Sequence, residues 1–210
     1  MQIEKLTLLG KSDVSISMIM DVLESVNQFP NIEIINNLNL PIEHTFNNHN
    51  FVWSFVNEIG AGPFVLGVSN PFPKKGVVNH FGNRLNYVSL IHKTASISST
   101  TSVGKGCFIN NHVSISAHSS LGNFVNINRN ASIGHHTIIA DFVTINPNAA
   151  IAGHVSIGEG TKIGMGAMVL DHVKIGKNCV IGAGSIVTKD IPDDVIAYGS
   201  PCKIIRTNET

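Results

Sequence analysis

The sequence predicts a small α/β N-terminal domain with a parallel sheet, followed by a parallel β-helix. Three observations carry this. From Ile91 onward an aliphatic residue stands at every sixth position, through Ile97, Val103, Ile109, Ile115, Leu121 and on to Val187, seventeen sites without a slip. Neither a helix nor a simple strand produces a strict period of six, whereas stacked repeats do. Four residues after most aliphatic sites comes a small or β-branched residue, such as Ala95, Cys107, Ser119 or Thr137. Finally, residues 1 to 86 lack this period and instead alternate strand-like and helix-like runs ending in Gly, Asn or Pro.

In chain order, Ile3 to Leu9 is expected as a strand and Val14 to Val26 as a helix, with Ser12 or Asp13 as its cap. A second strand is expected over Asn31 to Asn36 and a further one over Phe64 to Ser69. Phe51 to Ile59 fits either helix or strand, and Lys74 to Phe81 fits a helix. The turn Gly10-Lys11-Ser12-Asp13 joins the first strand to the first helix, where nucleotide-binding folds keep a phosphate loop. It lacks GxGxxG, so an ordinary turn explains it as well. Gly10, Lys11 and Ser12 are kept as substrate-binding candidates.

In the repeat, three six-residue sides make one triangular coil of eighteen residues, with five to six coils expected. Gly134, Gly158, Gly164, Gly176 and Gly182 follow aliphatic sites directly and are expected at corners that need unusual φ/ψ. Polar residues interrupt every side, which excludes a membrane-spanning helix. Residues 193 to 210 are expected as a C-terminal tail after a β-helix spanning 87 to 192.

The formal net charge is zero, which argues against a polyanionic partner. The opening MQIEKLTLLG has no signal-peptide pattern. Three cysteines without CxxC spacing suggest neither zinc nor a disulfide framework, and a reduced cytoplasm is the expected setting. Cys107 and Cys179 fall at the small inward site, while Cys202 lies in the tail.

Residues eighteen apart stack about 4.8 Å from one another, the spacing of neighbouring strands. His135 therefore lies in a corner column between Ala117 and Gly153, and its imidazole is expected to stand free with room on either side. His118, His136, His154 and His172 form a second column. That ladder is either a solvated row of turns or a set of metal ligands. Its adjacent rungs repel when protonated, so it should titrate below free histidine on average. Lys162, Lys174, Lys177, Lys189, Lys203 and Arg206 supply late positive charge, either for a phosphate or as a solvated face.

The repeat resembles that of the hexapeptide-repeat acyltransferases. Tyr87 to Ser96, together with Ile191 to Val195 and Gly199 to Lys203, resembles the bacterial nucleotide-sugar N-acetyltransferases and sialic-acid O-acetyltransferases, including the bacillosamine-type enzymes. The resemblance implies a left-handed coil, a homotrimer with active sites between subunits, and acetyl-CoA as cosubstrate, with no metal expected. Asn126, Asn128, Ile133, Gly134 and His135 match the family's motif. It implies that His135 is the general base, that the Gly153 N–H holds the thioester oxygen, and that Met165 and Ala183 bind the pantetheine arm. Asn128 and His136 are further substrate-binding candidates. His136 stands where relatives carry an acid, Thr144 where many carry a second histidine, and Lys93 where most carry proline.

The implied activity is acetylation of the amine of a UDP-, dTDP- or GDP-linked amino sugar, for a surface glycan. Direct attack is expected, since no thiol is placed near His135. The alternatives are O-acetylation of a sugar hydroxyl and a non-catalytic scaffold or sugar-nucleotide binding module.

Overall fold

The protein is described by a computed structural model, which describes residues 4–9, 13–27, 31–35, 51–54, 62–67 and 71–209. The N-terminal part is a five-stranded sheet containing β1 (Lys5–Leu9), β2 (Asn31–Ile35), β3 (Phe51–Ser54), β4 (Pro63–Leu66) and β5 (Asn86–Tyr87). Its order is β3-β2-β1-β4-β5, and every pairing is parallel. Helices α1 (Asp13–Ser25) and α2 (Pro71–Phe81) accompany it. The ambiguous stretch from Phe51 thus begins as a strand, and residues 55 to 59 lie outside the described ones. The second helix starts three residues earlier than expected. Proline needs no N–H partner in a first turn, so Pro71 opens it at no cost. The fourth strand is shorter than expected and ends at Leu66. Gly10, Lys11 and Ser12 lie outside the described residues.

From Leu90 the chain winds through two-residue strands that collect into three parallel sheets. The register is eighteen from Leu90 to Val187: Ser114 pairs with Ser132, Ser132 with Ala150, and Ala150 with Met168. It shortens to sixteen in the closing coil, where Val180 pairs with Ile196. The aliphatic sites turn inward. Ile109, Ile127, Ile145, Ile163 and Val187 have no exposed surface, and each stabilises the coil by about 1.5–3 kcal/mol through burial.

The small inward site is more than a gap-filler. The hydroxyls of Ser119, Thr137 and Thr161 donate to the corner carbonyls of Gly134, Ala152 and Gly176 at 2.7–3.0 Å. Cys107 offers its thiol in the same way to Gly122, and Cys179 to Pro192. A small side chain with a hydrogen to give therefore satisfies a carbonyl inside the wall.

The corner glycines have a different cause from the one expected. None of Gly134, Gly158, Gly164, Gly176 and Gly182 has positive φ. A Cβ on Gly158 or Gly164 would instead lie 2.5 Å from the backbone of the next coil. These positions need glycine for close approach. The left-handed conformation falls two residues later, at every sixth residue from Gly106 to Gly184, and is held by His112, His118, Phe124, Asn130, His136 and their successors.

The residues expected as a tail complete the solenoid. Val195–Tyr198 pairs in parallel with Val180 and Ile181, and Lys203–Thr207 folds back antiparallel upon it. Along the side of the solenoid, α2 docks on a corner built from Phe124 and Phe142, whose rings stack at 5.2 Å. Lys75 reinforces this contact with Glu159 at 2.7 Å. None of the described helices is long and apolar enough to cross a membrane.

Candidate functional site

His135 lies at an exposed corner immediately after the strand Ser132–Ile133. Its ring does not stand free between its column neighbours. A Cβ on Gly153 would lie 2.8 Å from Cε1 and 2.9 Å from Nε2, so the imidazole rests on the glycine of the next coil. Gly153 is the space the ring occupies, and any larger residue would push it away. The Gly153 N–H has no acceptor among the described residues, while its carbonyl receives the N–H of His172 at 3.2 Å.

The Nδ1 of His135 lies 3.0 Å from the Nδ1 of His136. Only one of two facing nitrogens can carry the proton between them. When His135 donates, its Nε2 is left with a free lone pair, the tautomer a base requires. His136 thus lies within hydrogen-bonding distance of His135, at the position where the resemblance expects an acid. Partial desolvation, then repulsion from His154, His118 and His135, holds the His136 imidazole below the usual histidine value. That favours the neutral form, which can accept.

The ladder exists as stacked rings. His136 and His154 are 4.8 Å apart, His154 and His172 4.7 Å, and His118 lies 5.0 Å from His136 at a tilt. His135 joins it at the edge, 5.0 Å from His154 and nearly perpendicular. Column arithmetic kept His135 apart from His154, because they are nineteen residues apart rather than eighteen. A corner turns one residue towards the column beside it, and that offset was the available signal. His135, His136 and His154 are, among the described residues, a group whose ligand atoms all lie within 4.8 Å of one another.

Other candidates lie elsewhere. Met165 and Ala183 are exposed and share a column, with the Gly184 N–H donating to the Met165 carbonyl at 2.8 Å. Their corner follows the sheet of Ile163, whereas the His135 corner follows the sheet of Ile133, so one chain does not bring them together. Asn128 is buried, and its amide donates to the Ile145 carbonyl within the wall. Thr144 is likewise buried. All three thiols are pushed up by burial, which leaves them poor nucleophiles.

The bacterial transferase hexapeptide (six repeats) family model matches residues 154–189. Solved structures match across nearly the whole chain. PerB from Caulobacter crescentus, in complex with CoA and GDP-perosamine, aligns with a TM-score of 0.86 at 24% identity, covering 96% of this chain and 97% of that one. The chain is a parallel-sheet N-terminal part followed by a left-handed β-helix. The acetyltransferase domain of PglB from Neisseria gonorrhoeae, in complex with acetyl coenzyme A, aligns at 0.85 with 21% identity, covering 96% and 99%. WeeI from Acinetobacter baumannii aligns at 0.81 with 17% identity, covering 96% and 100%. Among curated protein sequences none matches this left-handed β-helix chain.

Proposed function

We propose that the protein transfers acetyl from acetyl-CoA to the amino group of a nucleotide-linked amino sugar, with His135 as general base. The observation that carries this reading is His135 seated on Gly153 at an exposed corner, its Nδ1 engaged by His136. It is supported by the fold shared with PerB, which was solved with CoA and GDP-perosamine, and with PglB.

In this mechanism the amine attacks the thioester carbon and passes a proton to His135 Nε2. A new C–N bond forms, and the C–S bond breaks as the thiolate leaves and takes the proton back. The Gly153 N–H donates to the carbonyl oxygen while it carries charge. With three thiols of raised pKa, direct attack is preferred over an acyl-enzyme.

The separation of the His135 corner from Met165 and Ala183 favours a homotrimer in which a second copy completes each site. Met165, Met168 and Leu170 are 44–55% exposed, apolar surface that such a copy would cover. The sugar nucleotide is assigned to the N-terminal sheet. There the strand order reverses between β1 and β4, and ligands of such sheets bind at the carboxyl edge of that switch. The product would serve surface-glycan assembly in the cytoplasm.

The test is formation of acetylated sugar from acetyl-CoA across UDP-, dTDP- and GDP-linked amino sugars and matched hydroxyl acceptors. Turnover of one amino sugar, lost in His135→Ala, is expected. Turnover confined to hydroxyl acceptors, or a fully active His135→Ala, would refute the reading.

A further inference from the structure

We infer that His135, His136 and His154 form a binding site for a borderline transition-metal dication of the Zn2+, Ni2+ or Cu2+ class, and that occupancy switches off the base. The second half rests on the acetyltransferase reading; the first half does not.

Three imidazoles present one ligand atom each within 4.8 Å of one another, and two facing Nδ1 atoms are already 3.0 Å apart. A metal–nitrogen bond of about 2.0–2.1 Å needs only small rotations of exposed rings to close on all three. The backbone beneath them is clamped. His154 N–H donates to the His135 carbonyl at 2.9 Å, and His136 N–H to that of Ala117 at 3.0 Å. His136 and His154 share the same left-handed backbone, with φ of 56° and 59°, which points their rings the same way, 16° from parallel. Asparagine holds the equivalent corner at positions 130, 148 and 178 and fits that conformation at lower cost.

The donor set chooses the ion. It contains neutral nitrogens only, with no carboxylate for Mg2+ or Ca2+ and no thiolate, which suits the imidazole-preferring metals. Three protein ligands leave a fourth position for water. All three side chains are exposed, so an ion can enter without opening the fold. His172, stacked on His154 at 4.7 Å and 3.7 Å from Asp171, steadies the third ligand from the far side.

Either mode of binding disables His135. Coordination through Nε2 occupies the lone pair directly. Coordination through Nδ1 leaves the ring's single proton on Nε2, where it blocks acceptance of another.

The test uses the full chain stripped of metal. Zn2+ binding is followed by calorimetry, and Co2+ absorption reports nitrogen ligation. His154→Asn removes a ligand while suiting the left-handed backbone, His154→Gly repeats the test with a second fold-compatible residue, and His118→Asn alters only a ladder rung outside the trio. Zn2+ affinity should fall by roughly tenfold or more in both His154 variants and stay near wild type in His118→Asn. In turnover assays the acetylated sugar is followed, because the thiol product itself binds Zn2+. Each variant is compared with its own metal-free rate: Zn2+ should inhibit wild type reversibly with chelator and inhibit His154→Asn far less. No Zn2+ binding, equal binding without His154, or equal loss in His118→Asn would overturn the site. His154-dependent binding in a protein that acetylates nothing supports the site and refutes only the proposed function.

Discussion

The ammonium nitrogen of Lys74 donates a 2.9 Å hydrogen bond to the carbonyl of Phe124, from a site with 1% of the residue exposed. Burial lowers its pKa to about 7, with the Cys107 thiol opposing slightly. In the unfolded chain Lys74 holds its proton up to about 10.5. Between about 7 and about 10.5 the unfolded state therefore binds more protons, and stability rises with pH by at most about 1.4 kcal/mol per unit. Below about 7 both states are protonated and the penalty is present in full. Urea unfolding at pH 7, 8 and 9 should show this rise, and Lys74→Met should flatten it. A wild-type slope that Lys74→Met leaves intact would assign it to other groups.

Gly153→Ala should displace the His135 ring, since the new methyl would sit 2.8–3.2 Å from three of its atoms. The obstacle is a movable side chain rather than backbone, so the melting temperature should change little. Acetyl transfer should fall by about 10²-fold or more, as expected for a misplaced base. An unaltered rate would show that the ring works from another position.

In the proposed mechanism His136 acts through His135, so its replacement should lower kcat and leave KM for the sugar nearly unchanged. His136→Asn, which tolerates φ of 56°, should lose roughly tenfold or more. His136→Glu supplies an acceptor of another kind and should restore part of that loss. Equal damage from both variants would mean that the position serves only the backbone.

Thr161→Val keeps the volume of the small inward site but removes a hydroxyl that donates to Gly176 and accepts from the Cys179 N–H at 2.7 and 2.9 Å. Chemical denaturation should show a loss of about 1–3 kcal/mol, the cost of stranding buried polar groups. A neutral result would mean that small size alone matters there.

The solenoid was legible because its period follows directly from geometry. Every sixth residue must be aliphatic if three sides face one core, and Ser114 does pair with Ser132 as that spacing requires. The reason for Gly158 was not legible, since close approach and left-handed φ both favour glycine in a sequence. Column arithmetic placed His135 next to Gly153 and stacked His136 on His154. It could not show that the His135 ring lies over Gly153, nor that its Nδ1 faces His136, because both depend on side-chain torsions. Lys74 gave no signal either. A lysine in a helix reads as solvated until the surface that covers it is known, and here that surface is the Phe124 corner, fifty residues away.

The interior repeats every six residues, but the working corner repeats every eighteen. Six residues inserted between His135 and Gly153 would keep each aliphatic side chain inward and shift everything downstream by one side of the triangle. The core would be intact, yet Gly153 would no longer lie beneath His135, and Met165 would occupy a different vertex. Only whole-coil changes in length return every residue to its vertex, and they preserve the site only where the added coil does not fall between His135 and Gly153. Hydrophobic burial thus accepts three times as many chain lengths as the chemistry does, and a length variant can fold normally with its site taken apart.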